Sequence, residues 1–151
     1  MIYLWKYYPD KELEDNEEND IQICITLASQ NSFIDALSKS TINEELEFQT
    51  SPLEKGEPHH IDAPHRNFYL PHIWYDKLKI IKRDAPENKI EIAKTTLTII
   101  MCFHGQNKII DLINETNKAP SLYENFVQVI NQNEIVRLNF WGSYEDAPVY
   151  F

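Results

Sequence analysis

The chain has 151 residues, 42% of them hydrophobic and 25% charged, with 24 acidic against 14 basic side chains and a formal net charge of -10. That length suits one domain around one hydrophobic core, and 8 Tyr, 7 Phe and 3 Trp set the chain apart from disordered polypeptides. The acidity disfavours nucleic acid and anionic membrane surfaces as partners, because both are bound through clustered Lys and Arg.

The excess charge is unevenly placed. Residues 1–58 hold 13 acidic and 4 basic side chains, whereas residues 59–151 hold 11 and 10. The N-terminus lacks the basic start and small-residue cleavage site of a secretory signal. No apolar run approaches the roughly 20 residues of a membrane-spanning helix, so a cytoplasmic location is expected. Cys24 and Cys102 each lie in an apolar segment and read as small buried hydrophobes rather than as a disulfide pair.

Ile2 to Tyr8 is β-branched and aromatic, stops at Pro9-Asp10, and predicts a first strand. Asp10 to Asp20 contains seven acids and predicts a solvated loop or a short acidic helix. Ile21, Ile23, Ile25 and Leu27 alternate with polar residues and predict a half-buried strand. Ser32 can cap a short helix carrying Phe33, Ile34 and Leu37. Glu45 to Thr50 alternates again, as a strand paired with the preceding one or as an edge.

Ser51 to His72 contains four prolines and predicts a long irregular loop. Ile73 to Arg83 and Lys89 to Phe103 predict two strands joined by Asp84-Ala85-Pro86-Glu87-Asn88 as a hairpin, with a helix as the rival reading of the second segment. Gln106 to Lys118 predicts an amphipathic helix. Ser121 and Glu124 form a capping box ahead of Leu122, Tyr123, Phe126, Val127 and Ile130 at helical spacing, which predicts another helix. Glu134 to Trp141 returns to strand, and the aromatic tail Val149-Tyr150-Phe151 is expected to dock. The fold class expected is α+β: a single domain over 1–151, mostly antiparallel sheet packed against two or three helices.

Three glycines, widely spaced, permit neither a phosphate-binding loop nor a dinucleotide fingerprint, and no Cys-x-x-Cys, His-Glu-x-x-His or Gly-x-Ser-x-Gly occurs. Four of the five histidines fall between His59 and His72. His59, His60, Asp62 and His65 could ligate a transition metal, or belong to a polar proline-rich loop facing water. Cys102 and His104 would share one face of a strand, as a thiol and its base or as a core cysteine and a strand-end histidine.

Two function classes follow, with a non-catalytic regulatory subunit as a third. The first is a protein-binding inhibitor of the immunity type, without catalytic residues or cofactor, that neutralises a basic, nuclease-like bacterial toxin. Its contacts would be Glu12, Glu14, Asp15, Glu17, Glu18 and Asp20, with Glu44, Glu45 and Glu47 as a second acidic group, since carboxylates can take the place of phosphates in a basic groove. The second is a small hydrolytic or metal-dependent enzyme built on the His59–His72 loop. Oligomeric state is left open.

Overall fold

The computed structural model describes residues 1–7, 19–52, 54–55, 72–102, 104–118, 126–141 and 149–150. In chain order the elements are β1 (Ile2–Tyr7), β2 (Ile21–Ile25), α1 (Leu27–Lys39), β3 (Glu45–Gln49), β4 (Glu54–Lys55), β5 (His72–Trp74), β6 (Lys77–Lys82), β7 (Lys89–Ala93), β8 (Thr96–Met101), α2 (Gly105–Lys118), β9 (Phe126–Asn131), β10 (Glu134–Trp141) and β11 (Val149–Tyr150). Nine strands form one sheet in the order β3-β6-β8-β7-β9-β10-β2-β1-β5, and β11 pairs with β4 apart from it.

The expected α+β fold with a mostly antiparallel sheet is corrected. The sheet is mixed, strongly curled and dominant, and the described residues include two helices. Parallel pairing joins β10 to β2, β6 to β8 and β7 to β9, three of its eight junctions.

Inward side chains of the alternating strands build one core. Leu4 of β1, Ile21 and Ile23 of β2, Leu78 and Ile80 of β6, Leu97 and Ile99 of β8, and Val136 and Leu138 of β10 meet Phe33 and Leu37 of α1 and Ile109 and Ile113 of α2. Each fully buried Leu or Ile contributes roughly 1.5–3 kcal/mol through removal of apolar surface from water.

The curl brings the two edges together. Just past β3, the Thr50 hydroxyl donates to the Tyr75 carbonyl and accepts from Trp74 Nε1 at 3.0 Å, both just at the end of β5. The amide of Ser51 donates to the Ile2 carbonyl at 2.8 Å, and that of Tyr75 to the Leu4 carbonyl at 3.0 Å. Two residues, Tyr75 and Asp76, carry the chain from β5 on one edge to β6 near the other.

Several local expectations change for stated reasons. Of the helix expected after the capping box, residues 121–125 lie outside the described residues and Phe126–Asn131 is strand β9, because it also alternates, Val127 and Val129 inward, and its β-branched residues pair in register with β10. Asp84 to Asn88 is not a hairpin: β8 lies between β6 and β7, and the hairpin is β7–β8, turning at Lys94-Thr95. Ser32 sits inside α1 rather than at its start; Thr26 holds the N-cap position, and the Ser32 hydroxyl donates back to the Ser29 carbonyl at 3.0 Å. Strand β2, expected half-buried, is buried on both faces. The strand readings of β1 and β10, the edge reading of β3 and the helix reading of α2 agree with the structure, and the tail docks through Val149–Tyr150 against Glu54–Lys55.

At the start of α2, Gly105 packs closely against the Asn88 side chain. A Cβ there would meet Asn88 Oδ1, which accepts from the Cys102 amide at 2.9 Å, so a larger residue would have to displace that side chain.

Candidate partner-binding site

The acidic residues fall into two places. Glu12, Glu14, Asp15, Glu17 and Glu18 lie outside the described residues, in the connection between β1 and β2, but both of its anchors are described. β1 and β2 are antiparallel neighbours, with Trp5 opposite Gln22, so the connection leaves and re-enters at one end of the same hairpin.

Those anchors are firmly held. Tyr3, Trp5 and Tyr7 project from the face of β1 opposite Leu4 and are buried, with Trp5 and Tyr7 edge to face at 6.4 Å between ring centroids. Gln22 and Cys24 are buried on the corresponding face of β2. The sheet is therefore covered on this side as well as on the side of the helices.

Asp20 is the acid of this run that falls within the described residues. It is 3% exposed and turned inward, accepting from the Arg137 amide at 3.0 Å and from Arg137 Nε at 2.7 Å, with Arg137 Nη2 also 2.7 Å away. Its carboxylate is thus withdrawn from the surface group to which the sequence assigns it. The parallel pairing of β2 with β10 continues the same ladder one step on, where Asn139 Nδ2 donates to Gln22 Oε1 at 3.3 Å. The guanidinium of Arg137 also lies over the Phe126 ring, 5.6 Å from its centroid.

The second acidic group sits at the edge strand β3. Glu44 accepts from the Thr41 amide at 2.8 Å and is engaged in its own turn. Glu45 pairs with Lys79 at 2.8 Å, and Glu47 with Lys77 at 3.2 Å and Lys79 at 3.9 Å. Lys79 is held above its ordinary pKa, first by its hydrogen bond to Glu45 and then by the charge of that carboxylate. The closure of the sheet touches β1 at Ile2 and Leu4, away from the Tyr7 end where the acidic connection departs. The second acidic group is locally balanced by lysine, whereas the connection carrying the first is anchored on the interior strands β1 and β2.

The histidine cluster, His59, His60, Asp62 and His65, lies outside the described residues. Among the described residues no group of three or more His, Cys, Asp or Glu side chains is placed to hold a metal ion. Cys102 and His104 do not share a strand face, since β8 ends at Met101 and both occupy the turn into α2, where the Gly105 amide donates to the Cys102 carbonyl at 3.0 Å. No helix among the described residues is long and apolar enough to cross a membrane.

Sequence reasoning missed Arg137, Gln22 and Asn139. Alternation along Asp20-Ile21-Gln22 and Arg137-Leu138-Asn139 was the available signal, but the register that joins them spans 117 residues. Compared with protein-family models, curated proteins and solved structures, the chain matches none of them.

Proposed function

We propose that the protein is a non-catalytic inhibitor that acts in the cytoplasm by binding a basic protein partner, of the immunity type that neutralises a nuclease-like bacterial toxin. The observation that carries this reading is where the charge sits. The described residues contain 13 acidic and 12 basic side chains, against 24 and 14 in the whole chain. The framework is therefore close to neutral, and the acidity belongs to the segments outside it.

The largest share lies in residues 8–18, with six acids and one lysine. That segment starts and ends on adjacent strands whose side chains are buried on both faces. A dense negative charge tethered to an ordered base attracts a cationic groove over about one Debye length, ~8–10 Å at physiological salt, and accelerates encounter. Glu12, Glu14, Asp15, Glu17 and Glu18 are the proposed contacts, with Glu44, Glu45 and Glu47 as secondary ones.

The test is to replace the five acids of the first group with their amides in one variant. Its association with the basic protein that co-purifies from the source cells is then followed over a salt series. The expected outcome is an association rate about tenfold lower or more at low salt, a flattened salt dependence and an unchanged melting temperature. Association kinetics identical to those of the unmodified chain would overturn the proposal.

A further inference from the structure

The face of the sheet that carries Trp5 changes character between β2 and β10. On β1 and β2 its side chains, Trp5 and Gln22 among them, are buried. The register carries the same face across to Asn139, Arg137 and Ile135 of β10, and from these to Phe126, Gln128 and Ile130 of β9. There the cover ends. Ile135 is 71% exposed, the most exposed large apolar side chain among the described residues, and it stands directly opposite Ile130.

The topology accounts for that exposure. β10 pairs with β2 only from Leu138 onward, so Glu134 to Arg137 run past the first residue of β2, and no strand among the described residues flanks them on that side. The same parallel pairing fixes what lies beside Ile135. β2 begins at the end of the sheet where β10 begins, and this is the end at which the acidic connection enters, through Asp20. Asp20 holds Arg137, which is one same-face position along β10 from Ile135, or roughly 7 Å.

These residues have the chemistry of the centre of an interface. An isoleucine pair lies next to a partly exposed guanidinium seated over the Phe126 ring, and buried apolar side chains and arginine are what such centres use. Arg137 is already oriented by Asp20, which also neutralises it, so it neither repels a cationic partner nor loses much freedom on docking. The neighbouring charge identifies the occupant. Residues 8–18, with six acids and one lysine, draw a basic surface to this end of the sheet. Strands lie about 4.8 Å apart and a stable interface covers roughly 800 Å² on each partner, so a protein held at the start of β2 also covers Ile135 on the next strand.

We propose that Ile135, paired with Ile130 and flanked by Arg137, is the apolar anchor of the interface with the basic partner. The inference rests on the function proposed above and adds to it the surface that retains the partner once charge has brought it in.

The two contributions separate kinetically, because exposed charges set association rates and buried anchors set dissociation rates. The test measures both rates for the full chain against the immobilised basic protein that co-purifies with it. Ile135→Thr, which keeps a β-branched strand residue, is expected to dissociate about tenfold faster or more, with an association rate within about twofold of the original and an unchanged melting temperature. The variant with five acids amidated is expected to show the reverse, slower association with little change in dissociation. Ile92→Thr is the control: Ile92 is 38% exposed but projects to the opposite face, and neither rate is expected to change. Unchanged dissociation of Ile135→Thr, beside slowed association of the amide variant, overturns the anchor and leaves the acidic contacts standing. An equal loss in Ile92→Thr also overturns it, since the effect then belongs to no particular face. Should the amide variant bind as the unmodified chain does, or no basic protein co-purify, the function on which the anchor rests fails and the anchor with it.

Discussion

Asp20 and Arg137 form the most consequential side-chain pair among the described residues. The carboxylate is nearly inaccessible, while the guanidinium remains 39% exposed, so one partner bears most of the desolvation cost. Removing the cation alone leaves a buried charge without its counter-ion. Arg137→Met is therefore expected to lower stability by about 2 kcal/mol, discounted for the solvent that reaches Arg137, and Asp20→Asn in the same chain should recover much of that loss. Urea unfolding of the two single variants and the double variant measures the coupling; additive losses would show that the pair acts as two independent groups. Nothing near Asp20 in the chain distinguishes it from its acidic neighbours. Its counter-ion is 117 positions away, and only the register of β2 against β10 selects it for burial.

At the scale of elements, the two hairpins share a device. β7–β8 turns at Lys94-Thr95 and β9–β10 at Gln132-Asn133, and in each the first central residue has a positive φ, 56° at Lys94 and 57° at Gln132. The second central residue does not, which is the sign pattern of a type II′ turn, a position that favours glycine. Gln132→Gly relieves that left-handed backbone and is expected to stabilise the protein by about 1 kcal/mol, seen as a rise in melting temperature. An unchanged or lower melting temperature would argue against strain at this turn. These turns carry none of the Asn-Gly or Asp-Gly signals by which a hairpin is read from sequence, so the β7–β8 hairpin went unread and its turn was placed at Asp84 to Asn88 instead. Strands with plain alternation, such as Ile21–Ile25, were legible, as was α2, whose Ile109, Leu112 and Ile113 repeat with helical spacing and are buried. Phe126–Asn131 satisfies both periods at once, and its partner strand, not its own sequence, decides between them.

For the whole molecule, the closed sheet predicts a loss of stability in alkali. Tyr75 lies where the edges meet, and burial raises its pKa above the ordinary value of 10.0. Lys79, bound to Glu45 across the edge pair β3–β6, is also raised above its ordinary 10.5. A group whose folded pKa exceeds its unfolded one favours the fold fully below the unfolded value and loses that contribution as pH rises through the folded value. Both contributions are intact at neutral pH and decline together above about pH 10. The melting temperature should fall over that range, and fall less in Tyr75→Phe; an equally steep fall in that variant would remove Tyr75 from the account. The bulk charge was legible from composition, and so was its concentration in residues 1–58. The sheet order was not, because parallel neighbours such as β6 and β8 are joined by no local turn.

The pairing of β2 with β10 has a consequence for the order in which the protein can assemble. During synthesis β1 and β2 emerge close together and can join as a hairpin, yet the outer edge of β2 waits for a strand made more than a hundred residues later. Until then a row of backbone donors and acceptors on an apolar strand stands open to any other nascent chain. Such non-local closure slows folding relative to hairpin-dominated sheets and lengthens the interval of exposure. A strand made late thus seals one made more than a hundred residues earlier.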